Sequence, residues 1–201
     1  MDIPRPLRPL LSGDMGRWEE ATDDDPVNRM ELAQITARTV VDAGRDNQAG
    51  TDLVALADTV GLETLAQLWR EQPADSLPGA LWALYLLRTW CRQQGDEVAR
   101  LFRAGRALAP VDEVVAGAPE IAGPVEMAEL ADAVLTGIYD GDLAVALERA
   151  AAFFRIVAAG RDLLATEGEP GALDRQRAAR NRSCAVGLTK AAQAWHDGTL
   201  Q

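Results

Sequence analysis

A single histidine, His196, and two cysteines, Cys91 and Cys184, are all that 201 residues offer to most nucleophilic, metal-binding or redox chemistry. Without a histidine cluster, a C-x-x-C or an H-E-x-x-H, zinc and dithiol sites find no ligand set, and a Glu-x-x-His di-metal bundle is excluded on the histidine count. A Ser/His/Asp or Cys/His constellation would have to be built around His196, close to the chain's end and followed by Gly198. Neither G-x-G-x-x-G nor G-x-x-x-x-G-K-[ST] occurs, so no phosphate cradle is expected. No catalytic, cofactor-binding or metal-binding residue is assigned, no cofactor is expected, and the chain reads as a non-enzyme.

Lysine is as scarce as histidine: of 20 basic residues only Lys190 is a lysine, the rest being arginine. Together with abundant alanine, this reads as GC-rich coding more than as function. Long apolar runs are missing too. The longest, Leu77 to Leu87, is about half of the ~20 residues a membrane-spanning helix needs, and Arg88 ends it. The first residues, with P-R-P-L-R-P, lack the apolar core of a signal peptide, and the expected location is cytoplasmic. Two cysteines far apart in apolar helical patterns fit reduced, buried thiols there, a disulfide being the alternative.

What is present is acid and helix. The formal net charge is -11, which argues against direct nucleic-acid binding. It is unevenly spread: residues 171–201 set Arg175, Arg177, Arg180, Arg182 and Lys190 against Asp174 and Asp197, a net of +3, leaving -14 on the first 170 residues. No segment alternates as a strand would, and no Asn-Gly hairpin signal occurs, so the fold class is all-α. About eight helices are expected in a compact bundle.

The stretch from Ser76 to Gly95 is apolar around its whole circumference, through Leu81, Trp82, Leu84, Tyr85, Leu86, Leu87 and Trp90. Such a helix has to be surrounded, so residues 76–95 are expected to form the central helix of the core. Ser76 is placed to cap it, Pro78 falls in its first turn and Gly95 is placed to end it, with Asp96 capping the next helix. Other helices are expected over 26–43, 53–60, 62–72, 96–108, 124–139, 142–165 and 172–195. In the first, Val27, Met30, Ala33, Ala37, Val40 and Val41 form one apolar stripe.

Residues 1–25 are expected to form a Pro/Leu-rich extended arm followed by an acidic segment, and 26–201 a single helical domain. Residues 110–124, dense in Gly and Pro, read as a linker that allows a subdivision and holds a single helical turn at Asp112 to Ala116. The arm, through Leu7 and Leu10, either lies on the protein's own surface or docks on another protein. The basic segment D-R-Q-R-A-A-R-N-R spreads Arg175, Arg177, Arg180 and Arg182 over about half a helix circumference. These arginines either pair with nearby acids of the chain or meet an acidic protein surface; contact with nucleic-acid phosphate is a third reading, disfavoured by the acidic body. The candidate partner-binding residues are therefore Leu7, Leu10, Arg175, Arg177, Arg180 and Arg182. Two other readings stay open. A small-molecule regulator or carboxylate-dependent enzyme would hold its pocket between the central and C-terminal helices, lined by Trp82, Tyr85 and Trp90. A structural homo-oligomer would pair an acidic body with a basic end.

Two stretches carry a resemblance: M-D-I-P-R-P-L-R-P-L-L-S-G-D-M-G-R-W-E-E-A-T-D-D-D-P-V-N-R-M and D-S-L-P-G-A-L-W-A-L-Y-L-L-R-T-W-C-R-Q-Q-G-D-E-V-A-R-L. With most of the chain, they resemble the actinobacterial signature proteins, a small cytoplasmic family with a member that binds the chromosome-partition ATPase ParA and regulates its polymerisation. The resemblance implies a ParA-type ATPase as partner. It rests on overall sequence with no catalytic motif, so it assigns no role to any residue.

Overall fold

The computed structural model describes residues 26–46, 68–116 and 143–200, together with 125, 126, 128, 129 and 132. All regular structure among them is α-helical. In chain order the helices are α1 (Pro26–Asp46), α2 (Leu77–Gln93), α3 (Gly95–Arg106), α4 (Pro110–Ala116), α5 (Leu143–Leu164) and α6 (Glu169–His196). These six are the helices delimited among the described residues; the helix expected over 53–60, most of the one over 62–72 and much of the one over 124–139 lie outside them, as does the arm with Leu7 and Leu10.

The hub is α5. It packs against α6, α3 and α4, and 14 of its 22 residues are buried. Alanine makes this closeness possible: Ala144, Ala146, Ala150, Ala151, Ala152 and Ala158 are almost inaccessible and let neighbouring helices approach on several sides. Phe153 reaches from this helix to Phe102 of α3, ring centroids 5.3 Å apart, and meets Phe154 edge-on at 6.2 Å. The α3–α5 crossing is closer still. A Cβ on Gly105 would lie 1.9 Å from the Ile156 carbonyl oxygen, and one on Gly160 would lie 1.9 Å from that of Leu101. The two backbones touch there, and only glycine fits.

Among the described helices, the expected central helix is not the one on which most others pack. Of these, α2 meets α1 most; it buries nine of its 17 residues, and leaves Leu86 43% exposed with Trp82 and Tyr85 half-buried. Large apolar residues around a helix signal low affinity for water; the hub is set by which helix its neighbours can approach most closely. The start of α2 is as expected: Ser76 accepts from the Gly79 N–H at 3.3 Å, with Pro78 in the first turn. Its end is not. Gln94 ends α2 by donating to Trp90 O at 2.8 Å and begins α3 by accepting from the Val98 N–H at 3.0 Å, so Gly95 is the buried first residue of α3 and not a stop signal. Asp96 falls in the first turn of α3, not at its cap.

Three smaller corrections follow the same logic. On α1 Ala33, Ala37 and Val41 are buried, but Val27 and Met30 are about half exposed. Residues 110–116 form helix α4, longer than the single turn expected at 112–116 and docked on α5 by Arg155 to Asp112 at 2.9 Å and by Arg149 to the Ala116 carbonyl at 3.2 Å. Helix α6 begins three residues earlier than expected, at Glu169. It closes at Gly198, whose φ of +68° turns the chain so that Leu200 is buried and its carbonyl accepts from Arg38 of α1 at 3.3 Å.

Candidate functional site

Helix α6 has 28 residues and buries only six side chains. Gly171, Ala178, Ala185 and Ala192 recur every seven residues on the buried face, joined by Leu188 and Ala191, and this narrow seam of small side chains packs on α5. Asn181, Cys184 and Gly187 are half-buried beside the seam, and most of the remaining circumference faces solvent. Ala172, Gln176, Ala179, Ser183, Val186, Lys190 and Gln193, separated by alternating steps of four and three, form an exposed strip along nearly the whole helix. Leu173 and Val186 are the large apolar residues of this surface, 46% and 54% exposed.

All four candidate arginines are exposed. Arg175 and Arg182 border that strip on one side and Arg180 on the other, while Arg177 lies farther round the helix. Three are braced within the chain: Arg182 donates to Asp162 at 2.6 Å, Arg175 to the Thr166 carbonyl at 3.4 Å, and Arg177 lies 3.7 Å from Asp174. Arg180 has no ion pair or hydrogen bond among the described residues. Intramolecular pairing thus accounts for much of the cluster without removing it from the surface, because exposed pairs are worth only about 0–1 kcal/mol and rearrange easily.

Behind the strip lies an ionic node with no obvious sequence signature. Arg161 of α5 is 6% exposed, and its guanidinium donates to Glu97 of α3 and Asp174 of α6, both at 3.3 Å. The same group sits 5.2 Å over the ring of Trp90 of α2. Four helices meet on one cation, which the aromatic face and two half-exposed carboxylates keep stable in a dry setting. Its Nε is buried and has no hydrogen-bond partner. On the other flank, Arg155 ties Asp112 of α4 to Thr189 of α6 at 2.9 and 2.5 Å.

An open cleft of about 490 Å³ lies elsewhere, lined by Cys91, Arg92, Val125, Ala128, Glu129 and Asp132. Two of its charged groups are engaged with each other: Asp132 accepts from Arg92 at 2.8 Å, and also from Arg88 at 2.9 Å. Burial draws the Asp132 carboxyl upward, but the hydrogen bonds and charges of Arg92 and Arg88 outweigh it and hold the pKa below the usual value. Burial, with the Asp132 charge behind it, pushes the Cys91 thiol up to about 12, and burial alone pushes Cys184 to about 11. Both cysteines are free thiols. Trp82 and Tyr85 stack on each other at 5.5 Å and Trp90 lies under Arg161, so none of the three lines this cleft. His196 is exposed at the end of α6. Among the described residues no three acidic, histidine or cysteine side chains gather to hold a metal ion, and no helix is long and apolar enough to cross a membrane.

No protein-family model, curated protein or solved structure matches the chain.

Proposed function

We propose that this chain is a non-enzymatic helical protein-interaction and regulatory protein. Following its resemblance to the actinobacterial signature proteins, the partner is a ParA-type ATPase whose polymerisation it regulates in chromosome segregation and cell division. A cytoplasmic location belongs to the same proposal. The observation that supports it is α6: a 28-residue helix held by one narrow seam, its exposed surface carrying Arg175, Arg177, Arg180 and Arg182. A helix so firmly seated and so little covered presents a rigid basic surface, suited to an acidic protein surface. The apolar arm with Leu7 and Leu10 is a second candidate contact.

ATP-dependent sedimentation of a purified ParA-type ATPase, with and without this protein, tests the reading. A change in pelleted ATPase at stoichiometric amounts supports it. That change should be lost when Arg180 and Arg182 are both replaced by Glu, or when residues 1–13 are deleted. No change in polymer and no co-sedimentation would sink ParA as the partner, and undiminished binding by both variants would sink the proposed surfaces.

A further inference from the structure

We infer that the outer face of α6 receives one acidic amphipathic helix of a partner protein, laid lengthwise between residues 172 and 193. This rests on the protein-binding reading above and supplies what that reading leaves open, the chemistry of the segment that binds.

The shape of the face comes first. Seven exposed residues follow one another in steps of four and three over six helical turns, a length of roughly 30 Å. Such a strip matches another helix in length and periodicity. Ala172, Ala179 and Ser183 let a neighbouring backbone come close, while Val186 and, at the border, Leu173 offer apolar area to cover. The spacing repeats that of the buried seam on the opposite side, which already holds α5; the outer strip offers a second helix the same geometry.

Charge then selects the occupant. Arg175 and Arg182 on one border and Arg180 on the other occupy the flanking positions at which charged residues choose partners in paired helices, and Arg177 is exposed farther round the same helix. A helix with lysine at its own flanking positions meets like charge on both sides, and one with glutamate meets complementary charge. A second α6 is a poor occupant for the same reason, since residues 171–201 carry a net +3 and would set arginine against arginine. Existing contacts do not block the arginines. Each guanidinium has five N–H donors, and Arg177 and Arg182 commit theirs to a single, half-exposed carboxylate apiece.

The test is a display library of amphipathic helices of about 25 residues, long enough to cover the strip. Its seam positions vary among Ala, Ser, Val and Leu and its flanks among Glu, Gln and Lys, with selection on the immobilised full chain at about 0.1 M salt, where exposed charges still act. The inference expects recovered helices to carry Glu at the flanks. It also expects their affinity for the chain to fall at least about tenfold on Ala179→Arg and on Arg180→Glu. Both positions are exposed, so an unchanged melting temperature will show that each variant is folded. Lysine or glutamine at the flanks, binding indifferent to both substitutions, or no recovered helix would each overturn it. So would a dimer in sedimentation equilibrium that Ala179→Arg dissolves, because the face would then belong to a second copy. Recovery only after Asp23, Asp24 and Asp25 are changed to Asn would assign the face to the chain's own acidic segment and overturn the inference as well. Selection of acidic helices alongside a silent ParA sedimentation assay removes that ATPase and leaves the face standing; the converse result removes the face.

Discussion

Helices α5 and α6 lie side by side, are both rich in alanine, and differ in what alanine accomplishes. In α5 small residues surround the axis, so neighbours press on it from several directions and 14 of 22 side chains disappear from solvent. In α6 buried alanines recur mainly at one register, 178, 185 and 192, so α5 is its main neighbour among the described helices and most of the surface stays open. The same residue makes a hub when spread around a helix and a one-sided seam when confined to a stripe. Angular distribution, more than composition, decides which helix is core and which is platform.

Substitutions along the two helices sharpen this contrast. The largest effect is expected for Phe153→Ala on α5, which empties the space between Phe102 and Phe154 and should cost about 4 kcal/mol in urea unfolding. A loss below about 1 kcal/mol would mean that α5 is not the hub. Next comes Ala185→Leu on the inner seam of α6, where 1% exposure leaves no room and overpacking should cost about 2–3 kcal/mol. Arg161→Leu removes the cation shared by both helices and should cost about 1–2 kcal/mol, measured the same way.

Off the two helices, Asp132→Asn should cost less than about 1 kcal/mol, because the Asp132 side chain is 38% exposed. Its effect has a sign in pH. The folded carboxyl is held below its unfolded pKa of ~3.9, so its contribution is complete above that value and is lost as pH falls through the folded pKa. Denaturation curves of the wild type and this variant should differ at neutral pH and converge in acid; a gap that widens in acid would contradict the assignment. Smallest of all, Ala179→Leu on the outer strip should change stability by less than about 0.5 kcal/mol. A cost equal to that of Ala185→Leu would erase the distinction between the two faces of α6.

The helical class is legible in the sequence because no segment alternates and because local signals such as Ser76 and Pro78 act through their own backbone. The hub is not. Leu81, Trp82 and Tyr85 are larger and more conspicuous than Ala150 to Ala152, yet bulk holds neighbours away and small size admits them. Gly95 misleads for a related reason: glycine ends many helices, but here a single residue, Gln94, serves both helix ends. The arginine cluster is visible as composition, and its partial pairing with Asp162 and Asp174 is one of the two outcomes that composition allows. Arg161 is harder to see, since Glu97 stands 64 positions away and only the fold unites them. Arg149, Arg155 and Arg161 recur every six residues in Leu143–Leu164, and the sequence does not tell which of them is buried; each such charge has to find partners or reach water.

The Gly105–Gly160 crossing has a mechanical consequence. Where side chains separate two helices, a rotamer change can absorb a small slide or roll; where carbonyl meets Cα, nothing compressible lies between. Helices α3 and α5 are therefore registered like meshed teeth, and relative motion requires them to part completely. Opening of this region is all-or-none, so the amides around Leu101–Gly105 and Ile156–Gly160 belong to the last unit to exchange with solvent, whatever the outer helices do.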